Sequence, residues 1–241
     1  MDLQSLAQTN FETLSRNPYP GRGIIIGRSP NGESLVQVYW IMGRSSGSRN
    51  RIFMEEDGFL KTKLWDESVV TDPTLLIYYP MRHVGSAHIV TNGDQTDTIY
   101  NALQGGGTFE SALETRTFEP DPPIYTPRIS GLMDSATPDE YKLSVLKPMS
   151  RDSDSVMRCY YNIVSPAKGI GNCIQTYTLT ADGQPAPFQG DPYVLPLFDD
   201  IDETAKVYWD ALDADNKVSL AVKFVSIASG DFRLRIINKH Q

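Results

Sequence analysis

Gly23-Ile24-Ile25-Ile26-Gly27 and Glu33-Ser34-Leu35-Val36-Gln37-Val38-Tyr39-Trp40-Ile41-Met42 stand on either side of Ser29-Pro30-Asn31-Gly32. Two runs rich in β-branched and aromatic residues around a Pro-Asn-Gly turn predict a hairpin, and so antiparallel pairing. Toward the N-terminus, residues 2–15 set Leu3, Leu6, Ala7, Phe11 and Leu14 on one helical face before Asn17-Pro18 ends the pattern. This predicts a short amphipathic opening helix. Toward the C-terminus, strands are expected at residues 74–83 and 87–91 with Gly85-Ser86 turning between them. A helix over 96–103 follows, Gly105-Gly106-Gly107 breaks it, and Thr108 opens another. Further strand-like runs fall at 129–132, 141–146, 157–164, 173–179, 218–227 and 232–237, with a helix at 202–212 and a polar loop at 150–155. Many strands, a central helix pair and few βαβ units predict antiparallel sheets covered by helices.

The 241 residues, 40% of them apolar, suffice for one sizeable core, so a single domain over 1–241 is expected. A formal net charge of -8 repels nucleic acid and anionic lipid, and an anionic substrate would need a local basic pocket. No run approaches the roughly 20 apolar residues of a membrane span, and Met1-Asp2-Leu3-Gln4 lacks the basic start of a secretion signal, so the expected location is the cytoplasm. Cys159 and Cys173 do not form a CxxC pair and are expected to be small buried hydrophobes.

Against this acidic background, Gly43-Arg44-Ser45-Ser46-Gly47-Ser48-Arg49-Asn50-Arg51 gathers three guanidiniums, three hydroxyls and two glycines in nine residues. Arginine forks match phosphate oxygens in pairs and glycines let backbone N–H groups approach an anion, so the stretch suits a phosphate cradle; a solvated basic turn would use the same residues. Arg22 and Arg28 flank the first strand and could join that pocket. Tyr78 and Arg82 share a face if the strand at 74–83 is regular, although a tyrosine there can equally be a satisfied core residue. Asn92-Gly93-Asp94-Gln95-Thr96-Asp97 has turn and N-cap chemistry, or else offers free N–H groups to a ligand. Glu119-Pro120-Asp121-Pro122-Pro123-Ile124-Tyr125-Thr126-Pro127-Arg128-Ile129 uses four prolines to stiffen a loop carrying carboxylates, a tyrosine and an arginine, either as a preorganised functional loop or as a rigid connection. His83 and His88, five apart, fall on opposite faces of a continuous strand, and no metal-ligand spacing is visible, so no metal is expected. Dinucleotide, P-loop and nucleophile-elbow motifs are missing as well.

Taken in order, Gly43-Arg44-Ser45…Ser48-Arg49-Asn50-Arg51, Ile77-Tyr78…Arg82, Asn92-Gly93-Asp94-Gln95-Thr96-Asp97 and Glu119-Pro120-Asp121…Thr126-Pro127-Arg128-Ile129 make the chain resemble the archaeal-type inosine monophosphate (IMP) cyclohydrolases, from about Arg22 to Trp209. The resemblance implies an α+β fold, a four-layer αββα sandwich of antiparallel sheets like that of the N-terminal-nucleophile hydrolases. It does not imply their nucleophile, since the chain begins Met1-Asp2. It implies ring closure of 5-formamidoimidazole-4-carboxamide ribonucleotide to IMP, intramolecular chemistry that asks for positioning and proton transfer and for no cofactor. Carried over to this chain, Arg44, Ser45, Arg49, Asn50 and Arg51 would hold phosphate and ribose, and Arg22, Arg82, Asn92 and Asp94 would add substrate contacts. Tyr78 would sit at the formyl oxygen, Glu119 would transfer protons, and Asp121 and Arg128 would orient or polarise the amide. The stretch 44–51 is longer than the family's Arg-Ser-x-x-Asn-Arg form, which leaves the phosphate to any of its arginines. The implied partner is a small purine ribonucleotide, not nucleic acid or membrane, and there is room for a homo-oligomer. Another purine-nucleotide amide hydrolase and a non-catalytic nucleotide-binding protein are the alternatives on the same scaffold.

Overall fold

The computed structural model describes residues 1–69, 74–149, 155–179 and 184–240. The opening hairpin forms: β1 (Gly23–Arg28) and β2 (Ser34–Met42) pair antiparallel from Gly23 opposite Trp40 to Arg28 opposite Leu35. β10 (Ile170–Gln175), β13 (Tyr193–Pro196), β14 (Lys217–Ser226) and β15 (Phe232–Asn238) complete a six-stranded sheet ordered β13-β10-β1-β2-β14-β15. β3 (Arg51–Glu56), β4 (Phe59–Leu64), β5 (Met81–Val84), β6 (Ala87–Thr91), β7 (Arg128–Asp134), β8 (Glu140–Pro148) and β9 (Val156–Val164) form a seven-stranded meander in chain order. β11 (Tyr177–Leu179) and β12 (Pro185–Pro187) make a separate small hairpin. The helices are α1 (Leu3–Arg16), a single turn α2 (Ser46–Arg49), α3 (Gln95–Gln104), α4 (Phe109–Leu113) and α5 (Ile201–Ala211).

Alternation along the strands decides what each face touches. Ile24, Ile26, Leu35, Tyr39 and Ile41 of the first sheet meet Phe53, Leu60, Val90, Ile129 and Leu143 of the second in a core between the sheets. Their neighbours Ile25, Val36, Val38 and Trp40 point the other way, against Leu14 of α1 and Ala205 and Tyr208 of α5. On the far face of the second sheet, Ile89 and Leu146 pack on Ile99 of α3 and Phe109 and Leu113 of α4. Helices, sheet, sheet and helices thus succeed one another, as a sandwich requires, and each fully buried side chain of this size contributes about 1.5–3 kcal/mol of hydrophobic stabilisation. Both cysteines are free, Cys173 inside the outer core and Cys159 half-buried. Among the described residues no helix is long and apolar enough to cross a membrane.

Several expectations need correction. Residues 74–80 are not part of a strand, and β5 begins only at Met81. Thr62 stands in for the ladder there: its Oγ1 donates to the Leu76 carbonyl (2.8 Å) and accepts from the Tyr78 N–H (2.8 Å), and its backbone N–H donates to the Tyr78 carbonyl (2.9 Å). Pro80, which has no N–H, closes the irregular segment. The run expected at 173–179 breaks at Thr176, whose N–H donates to the Arg22 carbonyl. The β3–β4 hairpin was not foreseen, although Asp57 (φ 53°) and Gly58 (φ 79°) form the two-residue left-handed turn that joins its strands. His83 and His88 do not lie on opposite faces, because the Gly85-Ser86 turn folds β5 back on β6 and sets the two histidines directly opposite, with ring centroids 5.5 Å apart. The polar loop expected at 150–155 lies, apart from Ser155, outside the described residues.

Candidate active site

At the end of the sandwich where β1 starts and β2 finishes, a cavity of about 390 Å³ opens between the two sheets. Five stretches of chain wall it: the α1–β1 connection with Tyr19 and Arg22, the turn after β2 with Arg44, Ser45, Ser48 and Arg51, Leu76, the proline-rich loop with Asp121, Ile124 and Thr126, and Tyr177 with Gln184 and Pro185 of the small hairpin.

The turn after β2 is shaped from within. A Cβ on Gly43 would come 2.7 Å from the Ser48 backbone, so only glycine fits that approach. Ser45 caps α2 by accepting from the Ser48 N–H (3.1 Å), while Ser48 Oγ accepts from the Ser45 N–H (3.0 Å). The single helical turn then separates residues that an extended loop would have kept together. Arg44 lies over the Tyr19 ring at 5.3 Å, and Arg51, 1% exposed, donates from Nε to the Ser48 carbonyl and leaves Nη1 without a protein partner. Arg49 is turned away: its Nε donates to the Gly43 carbonyl (2.9 Å) and its Nη2 to Asn216 (3.1 Å). Asn50 faces Asp66, donating to its carbonyl and accepting from its N–H. Arg49 and Asn50 therefore tie the loop down and do not wall the cavity.

Arg22 is positioned through its backbone. Gly21 (φ 77°) would clash with Thr176 and the Tyr177 ring if it carried a Cβ, and the Arg22 N–H donates to Thr176 Oγ1 (3.0 Å). The guanidinium donates from Nη2 to Glu119 Oε1 at 2.8 Å. Glu119, 4% exposed, lies behind this arginine and not on the cavity surface, and also accepts from Asn92 Nδ2 (3.3 Å). Burial pushes its pKa above the ordinary carboxylate value, the charges of Arg22 and Arg128 oppose the shift, and the Asp121 charge reinforces it. Tyr78 is likewise one layer back, its hydroxyl 2.7 Å from that of Tyr39, and burial raises its pKa against the pull of Arg51 and Arg22.

The remaining expected contacts lie elsewhere. Arg82 is on the far face of the second sheet, 3.5 Å over Tyr100 and paired with Asp97 at 2.7 Å, because the irregular 74–80 segment breaks the alternation that was to align it with Tyr78. Arg28, at the opposite end of β1, pairs with Asp139. Asn92 is 1% exposed and spent on structure: it donates to the Pro127 carbonyl and accepts from the Ile129 N–H and Gln95. Asp94 binds Arg128 (2.6 Å) and Arg116 (2.5 Å), and Arg128 also donates to Gln95 Oε1 (2.8 Å), so both are engaged behind Glu119. Of Tyr78, Glu119, Asp121 and Arg128, the residues expected to take part in the chemistry, Asp121 alone reaches the cavity wall. Tyr19, Thr126 and Tyr177 belong to the site and were not anticipated: Tyr19 stacks on Tyr177 with centroids 5.8 Å apart, and Thr126 bridges Asp121 and Tyr177. Among the described residues no group of three or more His, Cys, Asp or Glu is placed to hold a metal ion.

A cavity of nucleotide-fragment size, lined by three arginines in a chain of charge -8, invites comparison with known proteins. The IMP cyclohydrolase of Methanopyrus kandleri is 30% identical over an alignment of 153 residues that covers 59% of this chain and 75% of that protein. The profile of the family described as IMP cyclohydrolase-like protein matches residues 19–230, a span that holds every residue of the cavity wall. The chain belongs to the IMP cyclohydrolase-like protein family.

Proposed function

We propose that this chain is a cytoplasmic IMP cyclohydrolase, which closes 5-formamidoimidazole-4-carboxamide ribonucleotide to IMP with loss of water and without a cofactor, on a scaffold of the N-terminal-nucleophile-hydrolase type used without a terminal nucleophile. The observation that carries it is the convergence of Arg22, Arg44 and Arg51 on one cavity beside Asp121 and the buried Glu119. Arg44 and Arg51 hold the 5′-phosphate, for which paired guanidinium donors in an acidic chain are the natural match. The carboxamide nitrogen and the formyl carbon share one ring, so fixing the nucleotide at both ends brings them to attack distance. Arg22 faces the oxygen on which negative charge develops, and the tyrosine pair Tyr39–Tyr78 stands behind it as a donor reserve. Glu119 accepts from Arg22 at 2.8 Å and holds that guanidinium toward the cavity, so its part in the reaction runs through Arg22.

Purified protein mixed with the formamido nucleotide in EDTA is expected to yield IMP, followed by its absorbance. Glu119→Gln is expected to lower kcat by on the order of 10²-fold. Release of the unformylated amine in place of IMP would identify a hydrolase, and tight IMP binding without turnover a non-catalytic relative; either result overturns the proposal.

A further inference from the structure

We infer that Tyr177 takes the proton of the attacking carboxamide nitrogen, with Thr126 and Asp121 behind it as a relay that ends on the Asp121 carboxylate. This rests on the cyclohydrolase reading above and assigns that reaction a base.

The direction of the relay follows from counting protons. Asp121 accepts twice from Thr126, at Oδ1 from the backbone N–H (2.7 Å) and at Oδ2 from the hydroxyl (2.5 Å). Thr126 Oγ1 is also 2.5 Å from the Tyr177 hydroxyl. A hydroxyl has one proton, and that of Thr126 is already given to Asp121, so Tyr177 must donate to Thr126. The chain runs Tyr177 to Thr126 to Asp121. Tyr177, a residue of the cavity wall, is thereby left with free lone pairs on its hydroxyl oxygen, which can accept a further hydrogen bond and cannot offer one. Burial, which pushes the Tyr177 pKa up to about 12, keeps the phenol protonated and able to donate along the chain.

Beside the guanidinium donors of Arg22, Arg44 and Arg51, an oxygen able only to accept suits a substrate N–H that must lose its proton. As the nitrogen attacks, its lone pair forms the C–N bond and the formyl π pair moves onto oxygen. The N–H proton passes to Tyr177 Oη, that of Tyr177 to Thr126 Oγ1, and that of Thr126 to Asp121 Oδ2. The carboxylate loses its negative charge while the formyl oxygen gains one beside Arg22, so total charge is conserved. The ring of Tyr177 is held for this, stacked on Tyr19 at 16° between planes and braced at its edge by Gly21. Tyr177 is then a catalytic residue, and Thr126 and Asp121 are positioning residues that act through it.

The test uses the full chain and the formamido nucleotide. Tyr177→Phe and Thr126→Val are expected to lower kcat by on the order of 10²-fold with little change in KM or in IMP affinity. Thr126→Ser, which keeps the hydroxyl, is expected to recover most of what Thr126→Val loses, and Asp121→Asn, which removes the final acceptor, to lower kcat about as far as Thr126→Val does. In the wild type, rate against deuterium fraction should curve, as for several protons in flight, and in Thr126→Val it should become linear. Wild-type kcat in both Tyr177→Phe and Thr126→Val overturns the relay while leaving the cyclohydrolase reading intact. Loss of IMP binding in Thr126→Val without recovery in Thr126→Ser overturns it too, by making the contact structural. Absence of IMP formation by the wild type sinks the parent reading itself.

Discussion

Arg49 and Arg51 are two positions apart, yet one braces a loop and the other faces the cavity. The turn of α2 between Ser46 and Arg49 sends the first guanidinium to the Gly43 carbonyl and Asn216, while Arg51, the first residue of β3, points between the sheets. The two should separate cleanly on substitution. Arg51→Ala is expected to raise KM for the nucleotide by roughly 10- to 100-fold, the worth of one or two charge-assisted hydrogen bonds. Arg49→Ala should leave KM nearly unchanged and lower the melting temperature; steady-state kinetics and a thermal melt on both variants check the pair. From sequence the two were indistinguishable, because both sit in the same basic stretch and only the capping box of Ser45 and Ser48 tells them apart. That signal was present, but a four-residue helix has too little periodicity to reveal itself.

Among the elements, the segment before β5 shows how a single hydroxyl can replace a ladder. Thr62→Val keeps shape and volume but leaves the Tyr78 N–H without its acceptor, so it is expected to cost about 1–3 kcal/mol in urea unfolding and to displace Tyr78. The outer strands, both sheets and the helix positions were largely legible, since hydrophobic alternation and the Gly, Pro and Asn turns are local properties: β1–β2, β6, β7, β8, β9, β14, β15 and α5 lie close to where the pattern predicts them. What was not legible depends on distant partners. Tyr177 was read as one more strand residue; its place in the cavity follows from the break at Thr176, and that break is pinned by Arg22, 154 residues earlier. Arg82 failed for the complementary reason, because an assumed alternation ran through Pro80. The Asp57-Gly58 turn, by contrast, is a local hairpin signal, legible in the Asp-Gly pair itself.

On the scale of the whole molecule, the seam between the sheets is polar at the end remote from the cavity. Lys223 of β14, 2% exposed, sits 3.9 Å over the Phe232 ring, and near it His88, 1% exposed, has both ring nitrogens without a partner. Burial lowers the His88 pKa to about 3 and that of Lys223 to about 8, the charges of Lys223 and His83 adding to the first shift. Both folded values are depressed, so each group contributes stability that is present above its unfolded pKa and lost as pH falls through the folded one. For His88 the loss runs from about pH 6.5 down to 3, for Lys223 from about 10.5 down to 8. His88→Phe is therefore expected to move the acid-unfolding midpoint to lower pH, and Lys223→Met to stabilise the protein at pH 7 by about 3 kcal/mol relative to its effect at pH 11, both read from denaturant titrations across the pH range. At the other end of the seam the cavity draws its wall from both sheets, Arg22 from the residue just before β1 and Arg51 from the start of β3. On the proposed function, a nucleotide seated there works as a rivet through two plates: every tenfold rise in its concentration beyond Kd adds about 1.4 kcal/mol to the resistance of the entire sandwich, so heat tolerance goes on reporting the nucleotide's concentration after the cavity is full.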